Sequence, residues 1–436
     1  MALAYYLQKL GVAYDLFEAS SQVGGAMRTV KSNGYILDLG PNSLQASAEL
    51  QELVRELKLE HEVLPAAPLD HQRYVLRDGD YHQLPTSPFS LLSNNFFSWK
   101  TKYRILKEKD VPPADIAYET VSQFFERRFG KGVVEYGVNP LVNGMYAGDP
   151  NQLLVQKAMP HLKAMETKYG SVLRGLVHHK DSYSRQEVFN FAEGMSTLPN
   201  AIAGKLVSLH TEHKVEMITR AQGRYVVSCA SAGDYDTEEY HILVLALPAY
   251  QASDLLQFTF PGMAAALQNI NYPPMAMVYT VYNRHDVGHH LKGFGALHPK
   301  VEDTFAAGSI WTSSVFDGRC RPHEVMFTTF VGGSQYTQNA LIERTTQMRK
   351  VHEELRRLYN INTDKPIFQY AHLWEHSIPQ YDLYIEDAHD MAKTLEQDGL
   401  FIAANWQAGV SVPNCIKHAK ELAYKINLKR PLFVNS

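Results

Sequence analysis

An acidic residue, a glycine pair and an arginine stand at a spacing that serves one kind of chemistry. Glu18 follows the apolar run Ala13-Tyr-Asp-Leu-Phe17, Gly24 and Gly25 come six and seven positions later, and Arg28 three after that. In a dinucleotide-binding βαβ unit the acid after the second strand accepts hydrogen bonds from the adenosine ribose hydroxyls. Glycines just beyond it let the backbone approach a pyrophosphate, and an arginine offsets its charge. The G-x-G-x-x-G loop of such a unit lies roughly 20 residues before the acid. That interval reaches back to about the residue before Met1, so the chain is expected to begin just past its own first strand and glycine loop.

The elements that must position these residues are legible around them. Ala2 to Leu10 carries a helical pattern that stops at Gly11, a C-terminal cap, and the strand after it ends on Glu18. Asp38-Leu-Gly-Pro-Asn-Ser43 reads as a tight turn, followed by a helix over roughly Ala46 to Leu57. Strands alternate from Arg73 to Leu84 around a reversal at Arg77-Asp-Gly-Asp80. A helical region runs from about Pro88 to Lys180, broken at Pro112-Pro113. Strands return at Val215–Ile218 and Tyr225–Cys229, and His241–Pro248 reads as a fully buried strand. Met275–Tyr282 and Val325–Val331 are further strands, and Gln347–Tyr359 is a helix with a charged, solvated face. Last, Gly399–Asn405 is a short strand feeding Val410-Ser-Val-Pro-Asn414 and a final helix.

Nucleotide-type segments thus fall at both ends and around Val215. The pattern predicts a mixed α/β fold whose Rossmann-like cofactor domain is discontinuous, made of residues 1–65, 190–235 and 398–436. A mixed-sheet substrate domain (66–87 and 236–397) and a helical insert (88–189) interleave with it. A chain of 436 residues is too long for one ordinary core, which supports the division. A net charge of −4 gives no reason to expect nucleic acid. Cys229, Cys320 and Cys415 are too sparse for a disulfide framework and fit a reducing, cytoplasmic setting. No apolar run approaches the ~20 residues of a membrane span.

Several blocks resemble the oxygen-dependent protoporphyrinogen oxidase and coproporphyrinogen III oxidase family, within the flavin amine oxidase superfamily. They are Pro140-Leu-Val-Asn-Gly-Met-Tyr-Ala-Gly-Asp-Pro150, Phe191-Ala-Glu-Gly-Met195 with Leu198, Leu245-Ala-Leu-Pro-Ala249 and Gly293-Phe-Gly-Ala-Leu-His-Pro299. Ser313-Ser-Val-Phe316, Phe330-Val-Gly-Gly333, Ile378-Pro-Gln-Tyr381 and Gly409-Val-Ser-Val-Pro-Asn-Cys-Ile416 continue the series in order.

The resemblance implies FAD as cofactor. It assigns Glu18, Gly24, Gly25 and Arg28 to the adenosine and pyrophosphate, and the backbone of Val215 to the adenine. It assigns Gly40, Pro41, Asn42 and Ser43, with Asn405, Trp406, Val410, Ser411 and Val412, to the flavin and ribityl end. It further implies that Arg73 meets a substrate propionate and that Leu297 and Phe316 form apolar walls against the macrocycle. Ala26 departs from the family, which often has a larger residue such as arginine there. The implied reaction is six-electron oxidation of protoporphyrinogen IX to protoporphyrin IX, in three two-electron steps with O2 as acceptor and H2O2 released. The hard chemistry of such a reaction belongs to the cofactor. Accordingly, no Ser/His/Asp or Cys/His set stands out among the blocks, and no side chain is put forward as catalytic.

Other readings compete. An amine oxidase would use Trp406 in an aromatic cage, and a chain lacking its glycine loop would hold no FAD. His372 and His376 stand at a spacing that can bind zinc on a helix, but Trp374 and Pro379 point to a strand or turn, so no metal is expected. Cys415 is expected to be a buried thiol, and His178-His179 and His289-His290 exposed loop residues. Aromatic residues in Pro88–Trp99, followed by Lys100, Lys102, Arg104 and Lys107, raise peripheral membrane contact as an alternative to an ordinary helical cover over a substrate cleft.

Overall fold

The strand Met275–Asn283 is buried at every residue except the last, as a strand covered on both faces requires. It lies second in a seven-stranded sheet ordered Phe368–Trp374, Met275–Asn283, Glu324–Gly332, Gly308–Ile310, Gly295–Leu297, Arg73–Arg77 and Asp80–Gln83. All neighbours are antiparallel except Gly295–Leu297 and Arg73–Arg77. One face is closed by the helix Arg344–Tyr359, whose Val351, Leu355 and Leu358 pack with Ala276, Val278, Phe327 and Val331. This computed structural model describes residues 1–68, 72–85, 88–179, 187–231 and 234–434.

The remaining sheets are small. Leu16–Phe17 pairs in parallel with Leu209–His210, and Leu243–Leu245 with Leu400–Ile402. The strands expected over Ala13–Phe17 and His241–Pro248 are therefore shorter, at two and three residues. Only Leu245 of the second is buried, so apolar composition overstated both its length and its cover. Among the described residues no strand precedes the opening helix Ala2–Lys9. That helix shares a core with the final helix Val412–Val434 through Leu3, Tyr6, Leu7, Ile416, Ala419 and Ala423. Ser47 accepts the Leu50 N–H and starts the next helix at Ala48, two residues later than expected.

Residues 88–179 are helical, with the predicted interruption at Pro112-Pro113. Their interior holds a charged network. Arg128 donates to Glu108 Oε1 (2.5 Å) and Glu166 Oε1 (2.6 Å), while Lys163 reaches Glu119 (3.0 Å) and Glu166 (2.8 Å). Arg127 completes it on Glu119 at 2.9 Å and Glu166 at 2.8 Å. Two expectations about surface residues are corrected here. Lys102 is buried and donates to the Asn94 carbonyl at 2.5 Å, so it does not belong to an exposed basic cluster. His178 is exposed as expected but ends the Val172–His178 helix and stacks on Tyr169, and His289 lies in a loop as expected but is half-buried against Trp311 and Tyr359.

A second buried charge ties the sheets together. Asp38, at the end of the strand Tyr35–Asp38, accepts from Thr29 Oγ1 (2.6 Å), Asn190 Nδ2 (2.9 Å) and the Met195 N–H (2.8 Å). Tyr279 donates to its carbonyl at 2.5 Å, and Trp374 Nε1 donates to the next carbonyl, Leu39, at 2.5 Å. Tyr279 and Trp374 both belong to the seven-stranded sheet.

Replacing Asp38 by Asn presents an N–H2 where Asn190 and Met195 already donate. Losing one buried acceptor costs about 1–3 kcal/mol, so Asp38→Asn should lower the thermal midpoint in calorimetry. Arg128→Met leaves the Glu108 and Glu166 carboxylates with fewer partners and should cost roughly 3–5 kcal/mol. Burial alone would raise the Glu166 carboxyl, but hydrogen bonds from Arg127, Lys163 and Arg128 outweigh it and hold the group below its usual 4.5. The stability it contributes is thus complete above pH 4.5 and is lost as pH falls through the lower folded value. Calorimetry of the wild type below pH 4.5 should show the midpoint fall, with a shallower fall in Arg128→Met.

Candidate active site

Glu18 sits where the Leu16–Phe17 strand ends, its N–H bound to His210 O (2.9 Å) and its carbonyl taking the His213 N–H (3.0 Å). The Glu212 N–H reaches Ser20 O at 3.1 Å, so the segment leading into the strand Lys214–Ala221, with Val215 second in it, runs beside Glu18. The Glu18 carboxylate accepts from the Ser20 N–H and hydroxyl, both at 2.9 Å. Gly24 and Gly25 follow at φ +99° and +56°. A Cβ at Gly24 would lie 2.8 Å from Pro199, whereas one at Gly25 would meet nothing within 4 Å. Arg28 takes the Leu39 N–H on its carbonyl at 2.8 Å, which joins this segment to the next.

That next segment is the turn Gly40-Pro-Asn-Ser43. A side chain at Gly40 would run into the Ala26 carbonyl, 2.0 Å from its Cβ position; only glycine permits the approach. Asn42 is buried, donates to Gly40 O (2.9 Å) and takes Asn190 Nδ2 on its own carbonyl (2.8 Å).

Asn405 and Trp406 lie on the short helix Asn405–Ala408. Trp406 is fully buried, its Nε1 donating to Leu247 O at 3.2 Å. Tyr381 donates to Asn405 O at 2.5 Å. The Gln407 Oε1 is buried and meets no hydrogen-bond partner among the described residues. Gly409 then turns the chain at φ +106°, and Val410 and Ser411 lead into the 23-residue helix that starts at Val412. Ser411 Oγ accepts the Asn414 N–H at 3.3 Å and caps it. Cys415 is half-buried, and that burial pushes its thiol up to about 11, so it is protonated at neutral pH.

Residues paired across neighbouring strands share a face. One row across the seven-stranded sheet therefore holds Val75, Leu297, Gly308, Phe330, Met277 and His372 on a single side. The adjacent row, on the same side, holds Arg73, Gly295, Ile310, Thr328, Tyr279 and Tyr370. Arg73 and Leu297 thus look out from the face opposite the Arg344–Tyr359 helix. Phe316 ends the helix Thr312–Val315, which is fastened to this face by Thr312 Oγ1 on Thr328 Oγ1 at 2.6 Å. Its ring is 1% exposed and lies under the Arg319 guanidinium at 5.9 Å. Arg73 stands over the Phe294 ring at 4.9 Å.

Sequence reasoning missed Arg319 and the free amide of Asn143, and raised His372 and Trp374 only in weighing a zinc site. Arg319 is buried, donates to Phe191 O at 2.7 Å and stands 4.0 Å from Asp38. Burial first, then the Arg28 and Arg344 charges, lower the His372 pKa, so its ring is neutral at pH 7. Nothing local marks Arg319 or Trp374, because their partners Phe191, Asp38 and Leu39 lie over a hundred positions away.

The sequence profile of the flavin containing amine oxidoreductases matches residues 1–427. Protoporphyrinogen oxidase 2, chloroplastic/mitochondrial, of Arabidopsis thaliana is 28% identical, covering 95% of this chain and 89% of that one. Coproporphyrinogen III oxidase of Bacillus subtilis is 25% identical over 96% of this chain and 94% of its own. A crystal structure from Exiguobacterium sp. 255-15 superposes with a TM-score of 0.80 at 20% identity, covering 98% and 96% of the two chains, and so shares the fold. The chain belongs to the flavin containing amine oxidoreductase family and is an FAD-dependent oxidoreductase.

Proposed function

We propose that this protein oxidises protoporphyrinogen IX to protoporphyrin IX, consuming three O2 and releasing three H2O2. The observation that carries the reading is the single sheet face that bears Arg73 and Leu297 and is overlaid by the Phe316 helix. The turn at Asp38–Ser43 is fastened to that same face. A large, flexible, mostly apolar ring with anionic propionates asks for apolar walls and a cation. The names of the relatives from Arabidopsis thaliana and Bacillus subtilis support a porphyrinogen as substrate.

The residues present fit FAD. Glu18 is an acid at the end of a parallel strand, Gly25 opens onto free space, and the orphaned Gln407 oxygen stands beside the start of the longest helix. When bound, FAD supplies the hydride acceptor and the route by which electron pairs reach O2. Glu18 would take the ribose hydroxyls, the Val215 backbone the adenine, and Gly24, Gly25 and Arg28 the pyrophosphate. Gly40, Pro41, Asn42 and Ser43, with Asn405, Trp406, Val410, Ser411 and Val412, would hold the flavin and ribityl end. Arg73 orients the ring through a propionate, and Leu297 and Phe316 exclude water from it.

In this reading residues 1–65, 190–235 and 398–436 form the cofactor domain, 66–87 and 236–397 the substrate domain, and 88–189 the insert. The pairing of Leu243–Leu245 with Leu400–Ile402 adds that strand to the cofactor side. The described residues contain no helix long and apolar enough to cross a membrane. Trp99, Tyr103 and Leu106 are 76%, 63% and 52% exposed. With Lys100, Arg104 and Lys107 around them they form a surface suited to peripheral contact with anionic lipid on the cytoplasmic side.

With FAD present, protoporphyrinogen IX should yield porphyrin fluorescence and three H2O2 per porphyrin. Porphyrin formation no faster than autoxidation, together with turnover of a simple amine such as benzylamine, would replace this reading by an amine oxidase. The ratio of kcat/KM for protoporphyrinogen and coproporphyrinogen decides between the two substrates. Arg73→Ala should raise KM about 10- to 100-fold with kcat less affected, the loss of a charged hydrogen bond made alike in ground and transition state. Trp99→Ala should reduce co-sedimentation with phosphatidylserine vesicles at low salt; unchanged sedimentation would remove the membrane contact.

A further inference from the structure

We infer that Asn143 is a substrate-binding residue whose side-chain amide hydrogen-bonds the tetrapyrrole, an inference that rests on the porphyrinogen reading above. Asn143 is 1% exposed, yet neither its Nδ2 nor its Oδ1 meets a hydrogen-bond partner among the described residues. Buried amides are almost always satisfied, and leaving both ends unmade is costly. Such a group persists where a ligand completes it.

Its position points to which ligand. Asn143 lies on the helix Asn139–Tyr146, entered through the π-helical turn Val134–Val138 and left through Ala147 at φ +51°. π-Turns and left-handed non-glycine residues both cluster at functional sites. The next residue, Gly144, is pressed against Leu297: a Cβ there would stand 2.9 Å from the leucine Cδ2. On the other flank, a Cβ at Gly333 would come 3.2 Å from Asn143 Oδ1. Gly332 pairs with Met275, two residues along from the Phe330–Met277 pair, so this glycine turn continues the site face of the sheet. Asn143 therefore adjoins the face that carries Arg73 and Leu297.

The amide is neutral and offers one acceptor and two donors. A porphyrinogen presents four pyrrole N–H donors, and the finished porphyrin presents two N–H groups and two imine acceptors. An amide can answer both kinds of group, an N–H through Oδ1 and an imine nitrogen through Nδ2, where a carboxylate only accepts and an ammonium only donates. Asn143 Oδ1 accepts a pyrrole N–H of the reduced ring, and Nδ2 is available to an imine nitrogen as oxidation proceeds.

The test is Asn143→Leu, which keeps the volume and removes the polar atoms, made in the FAD-loaded full chain. Expected are an unchanged flavin content and an equal or higher thermal midpoint. Against this, kcat/KM for protoporphyrinogen IX should fall tenfold or more, and fluorescence titration should show weakened binding of protoporphyrin IX. A purely structural amide would give the same stability with wild-type kcat/KM and product binding, and that result overturns the inference while leaving the proposed activity standing. If Asn143→Leu loses its flavin, Asn143→Ala is judged by the same two readouts. A wild-type enzyme inert toward both porphyrinogens removes the underlying activity and this inference with it.

Discussion

The buried Asp38 carboxylate is the constraint on which the site depends. It is 4% exposed and takes three hydrogen bonds, one from Thr29 nearby in sequence and two from the Asn190–Met195 segment about 150 residues on. A charge that deep is tolerated only when its lone pairs are filled, so Thr29, Asn190 and Met195 are held to positions that fill them. The two carbonyls at and just after Asp38 then fasten Tyr279 and Trp374 of the large sheet. The Gly40–Ser43 turn inherits its place from these bonds. The cofactor-side backbone and the substrate-side sheet are joined by these hydrogen bonds and by the apolar contact of Tyr35, Leu37 and Leu39 with Met277, Val281 and Met326.

The large sheet contributes by being asymmetric. Its one face is closed by a helix and an apolar core, and its other face is shared among the Tyr35–Asp38 hairpin, the Thr312–Val315 helix and the Asn139–Tyr146 helix. Gly295 and Gly308 keep side chains off the middle of that face, because a Cβ at either would strike the backbone of the next strand. Arg73, Leu297 and Phe330 lie beside these glycines on the same side of the sheet.

What was legible in the sequence was local. Glu18, Gly24, Gly25 and Arg28 stand out as candidates because the chemistry proposed for them depends on spacing within a dozen residues. The long strands Met275–Asn283 and Glu324–Gly332 declare themselves by composition. Strand length failed at Leu16–Phe17 and Leu243–Leu245, where the number of hydrogen-bonded partners, which sequence does not display, sets how far pairing extends. His289 is the loop residue the sequence suggests, but its cover was not legible, because the sheet brings Trp311 and Tyr359 to it. Arg319 and Asn143 carried no signal at all, since an arginine after a glycine and an asparagine in a helix are ordinary until their surroundings are known.

The parallel pairing of Gly295–Leu297 with Arg73–Arg77 has a consequence for how the chain is made. The hairpin Arg73–Gln83 leaves the ribosome early, but the strand it pairs with in the sheet, among the described residues, is over 200 residues away. Nor is the sheet complete until Trp374 has emerged. At about 5–20 residues per second that is a wait of roughly 15–60 s. During it the hairpin presents an open edge able to recruit foreign strands. The helical insert, built from contacts close in sequence, can fold in that interval beside the waiting hairpin. Chaperone occupancy during synthesis is therefore set by topology here, and falls due on the nascent chain between the insert and the last strand of the sheet.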